Sequence, residues 1–331
     1  MKVICKDIIT ALLMGLVLPS ILLNVTASLF EEQSAILPEL TVQSAAAQAP
    51  PATEAAVQPE RTMELLLSDG SVTELSMTDY LTGVLLGEMP ADFEVEALKA
   101  QAVAARTYTE KVRSWGGKHG EGRLCAEPGC CQAYLSQEAY LKRGGTVEAL
   151  QKVRSAVEAT ANEVLTYDGE LIEAVYFSCS GGATEDAAAV WGSDIPYLRS
   201  VESPGEENAA HDTDTVTFTS EVFRAALGQP LSGDPETWFG DVTYTAGGGV
   251  DTMTIGGLRY SGTALRTQLA LRSTNFTVEV SGDVITITTH GWGHRVGMSQ
   301  YGADAMAVLG SGYREILAHY YPGTVLTTWP Y

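Results

Sequence analysis

The stretch that decides the fold is LLGEMPADFEVEALKAQAVAARTY, residues 85–108. A helix over 78–88, capped by Thr78 or Asp79, is predicted to arrive at this stretch. It must end near Glu88, because a proline at position 90 pushes the residue before it out of the helical conformation. After the proline, apolar residues recur at helical spacing and predict a second, longer helix over 94–114.

Glu88 therefore lies at the end of an apolar helix, which is an unfavourable place for a carboxylate. The C-terminal end of a helix carries partial negative charge, and the neighbouring leucines exclude water. Both effects raise the pKa of the side chain, as a general acid near neutral pH requires. The alternative is an ordinary helix-end glutamate exposed to solvent.

The composition excludes several classes of protein. Hydrophobic residues make up 45% of the 331 residues, which is typical of a folded globular chain. The net charge is −21, with 41 acidic against 20 basic side chains. This balance argues against a nucleic-acid partner, which needs a concentrated basic face, and against electrostatic docking on anionic lipid.

An uncharged segment near the N-terminus predicts a membrane anchor. Residues 8–30 contain no charged side chain and are long enough to cross a bilayer core of about 30 Å. Lys2 and Lys6 precede the segment, so residues 1–7 are expected in the cytoplasm and the rest of the chain outside the membrane. The alternative is a signal peptide that is cleaved after the small residues ending at Ala27.

The remaining chain divides into a linker and one folded domain. Residues 31–62 are rich in Ala, Pro and Gln and predict an extended tether. Residues 63–331 are predicted to form a single domain of the α+β class, because helices and antiparallel hairpins do not alternate regularly. The predicted hairpins surround Ser68-Asp69-Gly70, Asp168-Gly169 and Ser281-Gly282-Asp283. Further helices are predicted at these positions: 146–162, from a cap at Thr219 to Leu227, 299–309 and 313–320.

Three further stretches carry side chains suited to a binding cleft. Lys99 and Arg106 lie seven residues apart on the second helix and can present two cations to one place, although surface ion pairs are the alternative. The segment YFSCSGGATE, residues 176–185, ends a strand in a turn that exposes hydroxyl and backbone N–H groups. The segment HGWGHRVGMSQYGADAMA, residues 290–307, places an aromatic residue between two histidines before a helix capped by Ser299.

A cysteine-rich segment, KHGEGRLCAEPGCCQAY at residues 118–134, predicts a metal site. His119, Cys125, Cys130 and Cys131 supply three thiolates and one imidazole, the donor set of a closed structural zinc site. Disulfide bonds are the alternative outside the cytoplasm. With four protein ligands the zinc would leave no position for a catalytic water, so no cofactor is expected to take part in catalysis.

Four segments in this order resemble the stage II sporulation protein D family of lytic transglycosylases. They are LLGEMPADFEVEALKAQAVAARTY, VYFSCSGGATE, VWGSDIPYLRSV and GWGHRVGMSQYGA. The resemblance implies cleavage of peptidoglycan between N-acetylmuramic acid and N-acetylglucosamine, with Glu88 as the catalytic acid and base. It implies that the cleft is lined by Lys99, Arg106, Tyr176, Ser180, His294 and Gln300. Some members of the family hold zinc in a Cys/His loop after the same helix.

The resemblance also implies a cellular setting. The chain is expected at the cell membrane as a single-pass protein of the sporulation septum and engulfing membrane, beside an N-acetylmuramoyl-L-alanine amidase and other engulfment proteins. Two alternatives remain open from the sequence. Related domains occur in amidase enhancers, which implies a glycan-binding protein without turnover. A zinc hydrolase using His290, His294 and His319 is the other, although no His-Glu-x-x-His pattern supports it.

Overall fold

The computed structural model describes residues 61–207, 209–210 and 212–330. The predicted cytoplasmic N-terminus, the anchor at 8–30 and nearly all of the linker lie outside the described residues. Within the part of the chain that is described, no helix is both long and apolar enough to span a bilayer. The nine α-helices found there are α1 (Met77–Glu88), α2 (Val95–Ser114), α3 (Gln137–Lys142), α4 (Val147–Ala159), α5 (Ala187–Trp191), α6 (Ser220–Leu227), α7 (Gly262–Gln268), α8 (Gln300–Val308) and α9 (Tyr313–Tyr320).

The strands are short and form five small sheets, which confirms the predicted α+β class with antiparallel pairing. The sheet orders are β2-β1-β3, β14-β4-β5, β13-β6, β11-β12-β7 and β10-β9-β8, and the pairs β1/β3 and β6/β13 are parallel. The strands are β1 (Thr62–Leu66), β2 (Val72–Ser76), β3 (Leu124–Cys125), β4 (Glu163–Tyr167), β5 (Glu170–Leu171), β6 (Tyr176–Phe177), β7 (Thr213–Thr219), β8 (Phe239–Tyr244), β9 (Val250–Ile255), β10 (Leu258–Ser261), β11 (Asn275–Ser281), β12 (Val284–His290), β13 (Met298–Ser299) and β14 (Val325–Thr328).

Helix α2 lies at the centre of the larger hydrophobic core. It packs against α1, α4, α8, α9 and β4. Many of its buried positions are alanines, including Ala97, Ala100, Ala102, Ala104 and Ala105. Small side chains on several sides of the helix let neighbouring backbones approach it closely. The helix therefore holds the surrounding elements at fixed distances from one another.

The turn between α1 and α2 follows the prediction closely. Met89 adopts an extended conformation, with φ −126° and ψ 148°, so α1 ends at Glu88. The prediction that Thr78 or Asp79 caps α1 is wrong, and the helix begins one residue earlier than predicted. Ser76 is the N-cap and accepts a hydrogen bond from the backbone N–H of Asp79, which makes Met77 the first helical residue.

Two predicted elements are corrected by the structure. The helix predicted at 146–162 ends at Ala159, because the Thr160 side chain bonds back to the last turn and Asn162 adopts a positive φ of 65°. The strand pair around Asp168-Gly169 stops at Leu171. Strand β6 pairs with β13 instead, which brings the segment after residue 175 against the segment before α8.

A second, smaller core is built from residues of β7 to β12 together with α6 and α7. Its largest side chains include Phe223, Trp238 and Phe276. The predicted hairpin at 276–290 is confirmed as β11 and β12, which pair from Asn275↔His290 to Ser281↔Val284. Strand β12 leads directly to residues 290–299. The smaller core therefore supports one wall of the region between β6 and α8.

A buried ion pair connects the smaller core to the segment between β12 and β13. Arg295 and Glu185 are 0% and 1% exposed, and Nη1 lies 2.9 Å from Oε1. The same guanidinium donates to the backbone carbonyls of Ser180 and Gly247, and Glu185 accepts from the hydroxyl of Thr245. Arg295, which follows His294 in the chain, therefore connects three segments: its own, the turn at residues 180–185 and the loop at residues 245–249.

Candidate active site

A cavity of about 1090 Å³ lies between the two cores, at the end of α1. Its volume is at the upper end for ligand pockets, which are usually about 300–1,000 Å³, so it has room for a segment of a polymer. Most of its lining comes from the end of α1, the segment 128–133, and the segments around β6 and β13, with single residues from α2, α5, α7 and position 118. The residues used below are Gly87, Glu88, Lys118, Cys130, Cys131, Gln132, Ala133, Tyr176, Phe177, Trp191, Arg266, Trp292, His294 and Gln300.

Glu88 is the one carboxyl group among the described residues that line this cavity. Its Oε1 accepts a hydrogen bond of 2.6 Å from the backbone N–H of Ala133. Burial raises the pKa of Glu88 above its ordinary value, and the hydrogen bond from Ala133 together with the nearby amide of Gln300 offsets only part of that rise. A carboxyl group whose pKa is raised in a partly enclosed cavity is suited to donate its proton to a bound oxygen.

Two glycines on α1 allow the segment that holds Glu88 to lie against the helix. A Cβ on Gly83 would come within 2.2 Å of the Tyr134 ring, and one on Gly87 within 3.0 Å of the Ala133 backbone. The backbone N–H of Leu135 donates to the carbonyl of Gly83 at 2.9 Å. The glycines in TGVLLGE are therefore needed for this contact, although they lower helix propensity.

Gln132 connects the same segment to three other elements. It is buried, and its Nε2 donates to the hydroxyls of Tyr80 and Thr109, both at 2.9 Å. Its Oε1 accepts from the Tyr176 hydroxyl at 2.8 Å. Burial, together with the charge of Glu88, raises the pKa of Tyr176 well above its ordinary value, so this phenol stays protonated. The arrangement fixes both the tyrosine ring and the backbone that reaches Glu88.

Gln300 begins α8 and presents an unused hydrogen-bond donor. Ser299 caps the helix by accepting from the backbone N–H of Gly302, as predicted. Gln300 is buried at the wall of the cavity, and its Nε2 makes no well-formed hydrogen bond with any described residue. Its amide is near enough to Glu88 to lower that pKa slightly. A buried donor without a partner is costly, so this amide is suited to a bound ligand.

His294 lies in the cavity wall as a neutral ring. Burial lowers its pKa to about 4, and the charge of Arg266 acts in the same direction. Its Nδ1 accepts from the backbone N–H of Val296 at 3.1 Å, so the ring proton lies on Nε2. The rings of Phe177 and Trp191 lie within 5.6 Å and 5.3 Å of it. His294 shapes the wall and is unsuited to donate a proton at neutral pH.

Three residues predicted in the cleft lie outside its lining. Lys99 pairs with Glu96 at 2.6 Å on the surface. Arg106 is buried and donates to the backbone carbonyls of Val157 and Glu163, so it connects α2 to α4 and β4. The spacing of Lys99 and Arg106 placed them on one face of α2, but that face meets other elements and not the cavity.

Ser180 is the third of these residues. It is fully buried, and its Oγ donates to Glu206 at 2.6 Å. Glu206 also accepts from the backbone N–H groups of Ser180 and Gly181 and from the hydroxyls of Ser203 and Ser299. A single buried carboxylate therefore orders the glycine-rich turn after β6 and the cap of α8. Sequence reasoning missed Glu206 because no local pattern surrounds it.

The four predicted metal ligands come together beside the cavity. The ligand atoms of His119, Cys125, Cys130 and Cys131 all lie within 4.8 Å of one another. The Cys130 and Cys131 sulfurs are 3.9 Å apart, and they lie 3.4 Å and 3.7 Å from His119 Nε2. A tetrahedral zinc with Zn–S near 2.3 Å and Zn–N near 2.0 Å requires ligand separations of about 3.5–3.8 Å. The residues present therefore fit a zinc ion.

The chemical state of the cysteines agrees with that fit. All four described cysteines are free thiols, so the structure has no disulfide among Cys125, Cys130 and Cys131. Burial, and then the neighbouring thiols, raise the pKa of Cys131 to about 12. Crowded thiols of this kind lose their protons when a divalent cation replaces them.

The histidines of the proposed zinc hydrolase do not form a site. Within the described residues, the His119 cluster is the one group of three or more ligand side chains at metal-binding distance. His319 Nε2 lies 2.7 Å from the Glu202 carbonyl, and His290 Nδ1 lies 3.4 Å from the Thr213 hydroxyl. His294 is committed to Val296. The three rings therefore cannot share an ion in this fold.

Comparison with known proteins agrees with the site. Residues 68–167 match a family model described as SpoIID: Stage II sporulation protein, and this range contains both Glu88 and the His119 cluster. The chain is 41% identical over 261 residues to a stage II sporulation protein D of Bacillus amyloliquefaciens, covering 77% of this chain and 75% of the relative. The corresponding protein of Bacillus subtilis (strain 168) is 41% identical over 262 residues, covering 78% and 76%.

A further relative has a different description. An amidase enhancer of Bacillus subtilis (strain 168) is 32% identical over 303 residues, covering 75% of this chain and 40% of that protein. The matches to the stage II proteins extend over three quarters of both chains. The present chain belongs to the stage II sporulation protein D family.

The raised pKa of Glu88 predicts how the stability of the protein depends on pH. The folded state holds the proton more tightly than the unfolded chain, so the free energy of unfolding falls as pH rises from the ordinary value of 4.5 through the folded pKa. We expect Glu88→Gln to be more stable than the native protein at about pH 8, and this difference to vanish at about pH 4. Denaturant unfolding at both pH values measures it.

The control is Glu94→Gln, a change of the same kind at an exposed position six residues away. The change in its stability relative to the native protein between the two pH values is expected to be smaller than that of Glu88→Gln. A difference between Glu88→Gln and the native protein that does not change with pH would contradict the raised pKa.

Proposed function

We propose that the protein is a peptidoglycan lytic transglycosylase that cleaves glycan strands between N-acetylmuramic acid and N-acetylglucosamine. The observation that carries this proposal is the lone carboxyl group of Glu88, with a raised pKa, in a cavity that has room for a polymer. Most glycosidases need two carboxyl groups flanking the bond. Cleavage by ring closure needs one, because the sugar supplies its own nucleophile.

The proposed reaction uses Glu88 twice. Its proton passes to the glycosidic oxygen while the bond from that oxygen to C1 of the muramic acid breaks, which releases N-acetylglucosamine with a free hydroxyl. The resulting carboxylate then takes the proton from the C6 hydroxyl of the same muramic acid as O6 bonds to C1. The product is a 1,6-anhydro ring and the proton is again on Glu88. The Ala133 N–H steadies the carboxylate between the two steps.

Tyr176 and Gln300 complete the environment that this chemistry requires. The phenol of Tyr176 is held by Gln132, so its ring forms a fixed wall beside Glu88. The unused amide of Gln300 can donate to a sugar hydroxyl or to the acetamido carbonyl next to the reacting carbon. Trp191 and Trp292 add aromatic rings to the cavity lining, and the guanidinium of Arg272 stacks on the Trp292 ring at 3.9 Å. His294 excludes water and carries no charge.

A non-catalytic alternative has one specific observation in its favour. The relative described as an amidase enhancer shares 32% identity with this chain, although the chain covers only 40% of it. A protein of this kind would use the same cavity to bind glycan strands and stimulate an amidase. The two functions differ in the product: only the transglycosylase generates 1,6-anhydro ends.

The proposed cellular role follows from family membership. The protein would act on the septal wall during sporulation and engulfment, beside an N-acetylmuramoyl-L-alanine amidase and other engulfment membrane proteins. The relatives named as stage II sporulation proteins support this setting. The uncharged residues 8–30 support attachment to the cell membrane by one N-terminal helix, with the N-terminus in the cytoplasm and the catalytic domain outside.

Structural zinc is part of the proposal. His119, Cys125, Cys130 and Cys131 would hold the ion, which would cross-link the segment between α2 and α3. That segment also contains Gln132 and Ala133, and the backbone N–H of Ala133 donates to Glu88. An ordered segment would therefore set the position of the Glu88 side chain. With all four positions filled by protein, the ion would take no part in bond cleavage.

The first prediction from the proposed function concerns catalysis by Glu88. Glu88→Gln keeps the shape of the side chain but removes the proton that the leaving oxygen needs. We expect the rate of anhydro-product formation to fall by about 10²–10⁴-fold or more, because one residue serves both steps. The measurement is mass spectrometry of glycan strands after digestion, with a thermal melt to show that the variant is folded.

The exposed Glu94→Gln variant is the matched control and should retain full activity. A folded Glu88→Gln protein that generates 1,6-anhydro ends at the native rate would place the acid elsewhere. A native protein that binds strands, stimulates an amidase and yields no anhydro ends would favour the enhancer function.

The second prediction concerns the metal. Protein purified under reducing conditions is expected to contain one zinc per chain, measured by elemental analysis. Cys130→Ser should lose most of this zinc and unfold at a lower temperature, since a structural ion stabilises its loop. Cys179→Ser is the control, because this buried thiol lies outside the cluster. Absence of metal together with a mapped Cys125–Cys131 disulfide would overturn the zinc assignment.

The third prediction concerns topology. Protease added to protoplasts is expected to digest the domain that follows residue 62, because residues 8–30 would leave it outside the membrane. A cytoplasmic protein of the same cells serves as the intactness control. Protection of the domain would contradict the proposed orientation, and a mature N-terminus at Ser28 would show a cleaved signal peptide in place of an anchor.

A further inference from the structure

The smaller core contributes one cation to the cavity, Arg266. This residue lies on α7 and is part of the cavity lining that also contains Glu88. No local pattern singles out Arg266, because it is far from Glu88 along the chain and lies in no recognisable motif. Its charge is nevertheless near enough to His294 to lower the pKa of that ring.

Helix α7 holds Arg266 in a defined place. Ser261 caps the helix by accepting from the backbone N–H of Ala264. A Cβ on Gly262 would come within 1.8 Å of the Val250 carbonyl, so the helix is tightly seated on β9. Leu265, the residue before Arg266, is fully buried in the smaller core. The arginine is therefore presented by a packed element and not by a free loop.

Arg266 has no protein partner among the described residues. The two other arginines near the cavity are paired: Arg272 with Asp214 at 3.0 Å and Arg295 with Glu185 at 2.9 Å. Arg266 forms neither a hydrogen bond nor an ion pair with a described residue, although it is partly buried and its pKa is lowered by desolvation. A guanidinium remains charged in a protein, so partial burial without an anion is unfavourable.

The permanently charged side chains that line the cavity are positive, whereas the chain as a whole is negative. The whole chain carries −21, yet the permanent charges that line the cavity are those of Lys118 and Arg266. Burial raises the pKa of Glu88, and His294 is neutral because its pKa is lowered to about 4. Lys118 already donates to the Tyr108 hydroxyl and to the Cys130 carbonyl. Arg266 is thus the cation available to a ligand.

We propose that Arg266 binds a carboxylate of the substrate and thereby selects anionic glycan strands over neutral ones. This inference rests on the proposed action on peptidoglycan. A guanidinium forms two parallel hydrogen bonds with a carboxylate, whereas neutral sugar hydroxyls do not require a full charge. Peptidoglycan offers such a carboxylate from two sources: the lactyl group of muramic acid where it bears no peptide, and the acidic residues of an attached stem peptide.

The experiment measures strand binding by the full-length chain carrying Glu88→Gln, so that no strand is consumed. Three probes are compared: peptide-free strands with free lactyl carboxylates, the same strands after conversion of those carboxylates to methylamides, and strands that retain their stem peptides. Arg266→Gln is expected to weaken binding of a carboxylate-bearing probe by about 10- to 100-fold, as for loss of a charge-assisted pair. Binding of the methylamide strands should be unchanged.

Two further variants control for charge and geometry. Arg259→Gln removes an equal charge from an exposed position on β10 of the same core, and it should bind all three probes as before. Arg266→Lys keeps the charge but loses the two parallel N–H donors of the guanidinium, so its affinity for carboxylate-bearing strands should be intermediate. A thermal melt of each variant establishes that it is folded.

Each outcome of the binding experiment either supports or overturns the proposal. A loss confined to peptide-free strands identifies the lactyl carboxylate, and a loss confined to peptide-bearing strands identifies the stem peptide; both support the proposal. Equal losses on the carboxylate and methylamide strands, or no loss on any probe, would overturn it. Formation of anhydro ends by the native enzyme is measured separately, so failure of the proposed function is distinguishable from failure of the carboxylate contact.

Discussion

The hydrogen bond between the Ala133 backbone and the Glu88 carboxyl is the contact around which the site is built. It requires a helix that ends at Glu88, a segment close enough to reach it, and glycines on the facing side of α1. The donor is a backbone group, so no side-chain substitution can move it without moving the segment. The metal-ligand cluster and the Gln132 hydrogen bonds lie immediately before Ala133 and determine where its N–H points.

The cavity also depends on contacts that hold the two cores together. Arg295 and Glu185 are both fully enclosed, and such a pair is more costly to break than to replace. Glu206 plays a comparable part beneath the glycine-rich turn, where one carboxylate accepts five hydrogen bonds from backbone and hydroxyl groups. Glu88 lines the cavity, whereas the charged side chains that shape its surroundings are buried. In the proposed mechanism, the carboxyl group that transfers the proton is therefore distinct from those that hold the fold together.

The sequence predicted those features that depend on neighbouring residues. The break at Met89-Pro90, the long helix after it, the hairpin at 276–290 and the gathering of the cysteine-rich segment all follow from local pattern. Helical spacing placed Lys99 and Arg106 on one side of α2, but spacing cannot tell which element covers that side. Arg106 turned out to serve backbone carbonyls in the core.

Other features depend on pairing between distant segments. Strand β6 has only two residues, and its partner β13 lies more than a hundred positions later, so no turn signal connects them. Ser180 lies in a glycine-rich turn and was predicted to face a ligand. Its hydroxyl instead donates a hydrogen bond to the buried Glu206. The position of Arg266 at the cavity is a product of how the smaller core packs, which periodicity and motif spacing do not encode.

The order in which these parts occur along the chain has a consequence for biosynthesis. Glu88 is made early, but β13 and Gln300 come near the end of the chain, and the wall of the cavity is absent until they are in place. A nascent chain thus contains Glu88 without the cavity that encloses it. The proposed transglycosylase would therefore remain inactive until the chain is complete and folded.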